Sequence, residues 1–60
     1  MTIIAISRAP HGWQAVFRDS PIMPNNVALP LPFTPAAPAE TVRADLRRRF
    51  PGAAFVTQAN

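Results

Sequence analysis

The sequence predicts a small single-domain α+β protein, in which one helix packs on a sheet of three or four strands. Three observations predict this class. Two β-prone stretches in residues 1–18 are separated by a short turn containing proline and glycine. A second alternating stretch carries prolines at every other position. One amphipathic stretch has helical spacing and ends at Pro51-Gly52. Strands that precede and follow a single helix in this order are typical of an α+β domain.

The N-terminal third is predicted to be a β-hairpin, with strands at about 2–7 and 13–18. The first stretch, "TIIAIS", is rich in β-branched residues, and the second, "WQAVFR", alternates in polarity. The connection 9–12 places a proline and a glycine where a hairpin loop needs them. One face of the second strand then carries the apolar residues Trp13, Ala15 and Phe17.

Residues 19–26, "DSPIMPNN", are predicted to form a loop, because two prolines and an Asn-Asn pair interrupt them. Ile22 and Met23 are apolar within this loop. We expect both to fold back and cap the core. The alternative is that they form a contact loop for a partner.

The stretch 27–33, "VALPLPF", is predicted to be an edge strand or a polyproline-like segment on the core. Its prolines share one parity, so they remove N–H donors from one side only, and a ladder can form along the other side. The same prolines would prevent a further strand from adding there. The proline spacing over 32–38 also matches a PxxP ligand, and we favour a stiff connector. The residues predicted to share one face are Val27, Leu29, Leu31 and Phe33.

One helix is predicted at about 38–50, followed by a short strand at about 53–57. Pro38 suits the first turn, and Pro51-Gly52 ends the helix. Acidic Glu40 near the start and arginines near the end complement the helix dipole. The predicted apolar stripe consists of Ala39, Val42, Leu46 and Phe50.

Composition limits the classes of function. The chain has 60 residues, no cysteine and one histidine, which excludes disulfides and cysteine zinc sites, and we expect no metal or cofactor. No apolar run approaches the roughly 20 residues of a membrane span, and no targeting signal is visible, so we expect a cytoplasmic protein. A domain of this size has a thin stability margin, which favours association with a second copy.

The arginines suggest a contact with an anionic partner. Net charge is +3, from six arginines against three acids. On a helical wheel Arg43 and Arg47 lie on one flank, where they could contact phosphates together with Arg8 or Arg18. The triplet that begins at Arg47 fans around the axis. Ion pairs of Asp45 with Arg48 and Arg49, and of Glu40 with Arg43, are within reach. We therefore favour a solvated helix end over a nucleic-acid site.

Catalysis is not expected. His11 with Ser7 or Ser20 and Asp19 supplies the residue types of a nucleophilic site, but no spacing selects them. Glu40 and Asp45 diverge on the helix, which argues against a carboxylate pair. The two glycines form no phosphate-binding loop.

The favoured prediction is a non-enzymatic binding or accessory protein that acts as a homodimer. Its interface would be the sheet, or the surface around Trp13, Leu31 and Phe33, because tryptophan commonly anchors interfaces. The alternative is a small basic nucleic-acid-binding regulatory protein. A hairpin followed by a helix resembles small bacterial DNA-binding and antitoxin-like modules, which makes a bacterial or phage origin an expectation, but no motif assigns the chain to one of them.

Overall fold

A computed structural model describes residues 1–58 and contains every predicted helix and strand. The strands form a four-stranded sheet in the order β3-β2-β1-β4, where β1 pairs with β4 in parallel and the other neighbours are antiparallel. The predicted α+β class, with a hairpin, one helix and a short C-terminal strand, is confirmed. The elements are β1 (Ile3–Ala9), β2 (Gly12–Arg18), β3 (Ala28–Pro30), α1 (Ala39–Arg49) and β4 (Ala54–Gln58).

The hairpin turn is tighter than predicted. Ala9 pairs with Gly12, so only Pro10 and His11 lie between the strands. Both strands therefore extend further toward the turn than the sequence pattern indicated. The register places Ile4 opposite Phe17.

The core lies between α1 and one side of the sheet, which we call the inner face. The alternation of β2 is as predicted, because Trp13, Ala15 and Phe17 are all buried there. From the helix, Val42 and Leu46 are buried against them, and Ala39 and Phe50 pack at the margin as the predicted stripe requires. The core cluster consists of Ile4, Ile6, Trp13, Ala15, Phe17, Val42 and Leu46.

Backbone hydrogen bonds define both ends of the helix. The carbonyl of Pro38 accepts from the N–H groups of Thr41 (3.0 Å) and Val42 (3.3 Å), so the proline lies just before the first turn. At the other end Phe50 donates its N–H to the Leu46 carbonyl at 2.7 Å. The Phe50 ring then meets the edge of the Phe17 ring, with centroids 5.1 Å apart. The end of the helix is thus anchored to β2.

The proline-rich segment forms a shorter strand than predicted. Only Ala28–Pro30 belongs to β3, although the N–H of Leu31 still bonds the Trp13 carbonyl at 2.8 Å. Because neighbouring residues direct their N–H groups to opposite sides, Pro30 lacks its donor on the side away from β2. The predicted edge strand is therefore present. The prediction for Val27 was wrong, since its side chain is exposed and does not join the core.

The loop that precedes β3 is ordered by its own polar groups. The Ser20 hydroxyl accepts from the N–H groups of Ile22 and Met23, and Asn25 bonds the Ser20 backbone twice. Met23 packs against the core as expected. Ile22 is 76 % exposed, so the expectation that it caps the core was wrong. These hydrogen bonds hold Ile22 out in solvent.

Gly12 allows the proline-rich segment to approach the hairpin. Its φ is +152°, and a Cβ built there would lie 2.6 Å from the Phe33 carbonyl oxygen. That oxygen accepts the Trp13 N–H at 3.2 Å. Any side chain at position 12 would therefore displace the carbonyl that holds the segment on β2.

We predict that Gly12→Ala destabilises the protein by about 3 kcal/mol or more, because backbone strain adds to a steric clash. Gly52→Ala is the matched control: its φ is also positive, at +94°, but nothing lies within 4 Å of the new Cβ. We expect it to cost about 1–2 kcal/mol. Urea unfolding of both variants measures the difference. Equal losses would show that the close approach at Gly12 contributes nothing.

Candidate interaction surfaces

The side of the sheet opposite the helix, which we call the outer face, is apolar and lies open. No element within residues 1–58 packs over it, since α1 covers the inner face. Its central positions are small or β-branched. Ala5 is buried among its neighbours at 6 % exposure, whereas Val56 on the edge strand remains 48 % exposed. The strand registers place its apolar members side by side: Ile3, Ala5, Val16, Ala28, Ala54 and Val56.

Polar groups on the outer face lie toward its ends and partly satisfy one another. The Gln14 side-chain amide donates to the Ser7 hydroxyl at 3.3 Å. Arg18, at the end of β2, is the one charged residue on this face among the strands described. The middle of the outer face therefore carries no charge.

The sheet has two edge strands, β3 on one side and β4 on the other. The N–H of Ala54 bonds the Thr2 carbonyl at 2.9 Å, so Ala54 and Val56 direct their backbone groups toward β1. Phe55 and Thr57 direct theirs away from the sheet, where no strand of residues 1–58 pairs with them. We call this row of backbone groups the β4 edge.

Two of the predicted anion-binding arginines lie beside the β4 edge. The Arg43 guanidinium donates to the Thr57 hydroxyl at 2.7 Å. The Arg47 guanidinium lies 5.7 Å from the centroid of the Phe55 ring. The predicted pair of Arg43 with Glu40 is not formed within residues 1–58, and neither arginine of the flank contacts a carboxylate there.

The other helix arginines form ion pairs within the helix, as predicted, although both share the single carboxylate of Asp45. Asp45 contacts Arg48 at 2.5 Å and Arg49 at 3.1 Å. Because these pairs lie on the opposite flank of α1, the positive charge beside β4 comes from Arg43 and Arg47.

Trp13 lies in the core of the single chain, and its indole contacts the segment that precedes the helix. Its side chain is buried, and the indole N–H donates to the Ala37 carbonyl at 3.0 Å. Arg8 stacks on the indole, 4.7 Å from the centroid, and donates to the same carbonyl at 3.4 Å. Leu31 and Phe33, the other predicted interface residues, are half-buried against the core. That packing supports a connector and not an exposed PxxP ligand.

The four predicted phosphate contacts do not form one surface. Arg8 and Thr57 line the same shallow hollow, so Arg8 lies on the same side of the sheet as Arg43 and Arg47. Arg18 belongs to the outer face. The sheet was predicted as a possible self-interface, but the residues of the outer face were not identified, although β1 contained a signal. Apolar residues at both parities, as in "IIAI", indicate a strand covered on both sides.

The residues considered for catalysis or metal binding are dispersed. His11 lies exposed in the hairpin turn, Ser7 is buried on the outer face, and Ser20 is held within its loop. Residues 1–58 contain no cluster of three side chains suited to hold a metal ion. In the same part of the chain, no helix has the length and apolar character to cross a membrane.

Comparisons with protein-family models, with curated proteins and with solved structures give no match for this chain. The outer face and the β4 edge are the two surfaces that bear on function, and both are defined by the strand registers and by exposure.

We predict that Trp13→Phe lowers the free energy of unfolding by about 1–3 kcal/mol, because it removes a buried hydrogen bond and part of the core. Arg8→Gln should cost about 1 kcal/mol or less, since a cation–π contact at an exposed arginine is weak. Urea denaturation followed by far-UV circular dichroism measures both. A loss for Arg8→Gln as large as that for Trp13→Phe would contradict the assigned role of the indole.

Proposed function

We propose that this protein is a non-enzymatic binding module that acts as a homodimer, with the outer face of the sheet as its self-interface. The observation that carries the proposal is the apolar, uncharged centre of that face, which the single helix leaves open. A second copy of the same face is an occupant of matching chemistry. In a twofold dimer each apolar residue meets the same kind of surface on its partner.

The side chains of the outer face suit sheet-on-sheet packing. Two sheets pack about 10 Å apart when their facing side chains interdigitate. Alanines at 5, 28 and 54 leave room for the larger Ile3, Val16 and Val56 of the partner. Arg18 lies at the end of the face, where its charge can stay in solvent. Contact of two such faces would thus desolvate apolar groups without burying a charge.

The area of the outer face limits the expected affinity of the dimer. A sheet four strands wide and five residues long covers about 300 Å² in projection, at spacings of ~4.8 Å and ~3.3 Å. Projecting side chains raise the buried area above this value, but about 300 Å² per copy is well below the roughly 800 Å² per partner of a standard stable interface. We therefore expect dissociation in the micromolar range.

Nucleic-acid binding is the alternative function and has less support. Arg48 and Arg49 are paired with Asp45, and Arg18 lies on the other side of the sheet from Arg43. Nonspecific duplex binding usually needs a denser basic surface than two or three arginines. A salt-dependent mobility shift with random DNA, repeated on Arg43→Ala plus Arg47→Ala, tests this alternative.

We predict that Val56→Asp converts the dimer into a folded monomer, because the new charge would be buried at the interface. Val27→Asp is the matched control: Val27 has the same side chain and the same 48 % exposure, and it lies outside the outer face. Sedimentation equilibrium at micromolar concentration measures the mass, and far-UV circular dichroism verifies the fold.

A wild-type chain that sediments as a stable folded monomer would overturn the proposal. A dimer that Val56→Asp leaves intact while Val27→Asp dissociates it would also overturn it. That result would move the interface to the helix side of the sheet.

A further inference from the structure

We propose that the β4 edge is a docking site for an extended acidic segment of a partner protein, which adds to the sheet as a fifth strand. The ligand class is a peptide in which acidic residues occupy alternate positions. This inference concerns a different surface from the outer face and does not depend on the dimer.

The first support is the contrast between the two edges of the sheet. The β3 edge is three residues long and carries Pro30 with its missing donor on the free side. The β4 edge has five residues, no proline and no charged side chain within the strand. Edge strands are usually protected from pairing by short length, by proline or by charge, and β4 contains neither a proline nor a charged residue. The backbone of β4 thus resembles edges that accept peptides by strand addition.

The second support is the direction of the backbone groups. Phe55 and Thr57 turn their N–H and C=O groups outward, two residues apart. A peptide strand pairing there in the antiparallel sense would exchange two hydrogen bonds with each of them. The peptide residues opposite Phe55 and Thr57 would project toward the helix side of the sheet.

The third support is the charge on that side. Arg47 lies over the Phe55 ring and Arg43 bonds the Thr57 side chain, so one guanidinium accompanies each outward-facing backbone position. Neither has a carboxylate partner within residues 1–58. Glu40, one turn before Arg43, is the acidic neighbour on the same flank, and the local balance stays positive. Carboxylates two residues apart on the added strand would meet these two arginines.

The fit therefore defines a pattern for the ligand. Acidic residues occupy the positions that face α1, and apolar residues occupy the alternate positions, which extend the outer face. Backbone pairing would provide affinity, and the arginines would select acidic over neutral or basic sequences.

The test uses a fluorescein-labelled peptide of sequence Gly-Val-Glu-Val-Glu-Val-Gly and fluorescence anisotropy with the full chain. Two matched peptides serve as controls. One carries glutamine in place of each glutamate, and the other carries an N-methyl group on the backbone nitrogen of each glutamate. We expect the acidic peptide to bind, and both matched peptides to bind more weakly by about tenfold or more, since each loses one class of contact.

Protein variants separate the contribution of backbone pairing from that of the arginine charges. Thr57→Pro removes an outward N–H, as Pro30 does on β3, and should abolish binding. Thr57→Val keeps that N–H but removes the hydroxyl that Arg43 contacts, so it should weaken binding much less than Thr57→Pro does. Arg43→Gln plus Arg47→Gln should weaken binding by about tenfold. Arg48→Gln, an exposed arginine on the other flank, should leave binding unchanged.

Three results would overturn the proposal. One is no binding of the acidic peptide at millimolar protein. Another is binding that persists both with the N-methylated peptide and with the Thr57→Pro variant, because such binding would come from electrostatic attraction without strand pairing. The third is binding of a random single-stranded oligonucleotide that depends on Arg43 and Arg47, with no binding of the peptide. That result would assign the surface to nucleic acid.

Discussion

The packing of one helix against one face of the sheet is the constraint on which the rest of this structure depends. Val42 and Leu46 are buried against the inner-face residues of β1 and β2, and Phe50 closes the end of the core on Phe17. Residues 1–58 provide no second layer for the other face of the sheet. Apolar side chains on the outer face of β1 and β2, such as Ile3 and Val16, are therefore left without a covering layer in the single chain.

Trp13 connects this packing to the proline-rich segment. Its backbone pairs with Leu31 and Phe33, and its indole holds Ala37 just before the helix begins. The segment crosses the sheet end at a distance that only a glycine at position 12 permits. A stiff connector fixed at several points gives the helix a defined position in a chain that has no cysteine for a disulfide.

Local patterns in the sequence were sufficient to predict the helix and the strands, but they were not sufficient to predict the surfaces. The alternation of β2, the apolar stripe of α1 and the pairing of Asp45 were predictable, because each depends on neighbours within a few residues. The contact of Arg43 with Thr57 was not predictable, since it requires the parallel pairing of β4 with β1, which no local pattern specifies. Val27 was misassigned because the strand begins after it, where the loop hydrogen bonds end. The outer face appears only when the registers bring separate strands together.

The proposed dimer, in which a second copy covers the outer face, is tested most directly by isotope-filtered nuclear Overhauser spectroscopy. A sample mixed from labelled and unlabelled chains reports contacts between copies only. A dimer formed through the outer face should give intermolecular signals from the methyl groups of Ile3, Val16 and Val56. Intermolecular signals that arise instead from Leu31 and Phe33, or none at concentrations well above micromolar, would contradict it.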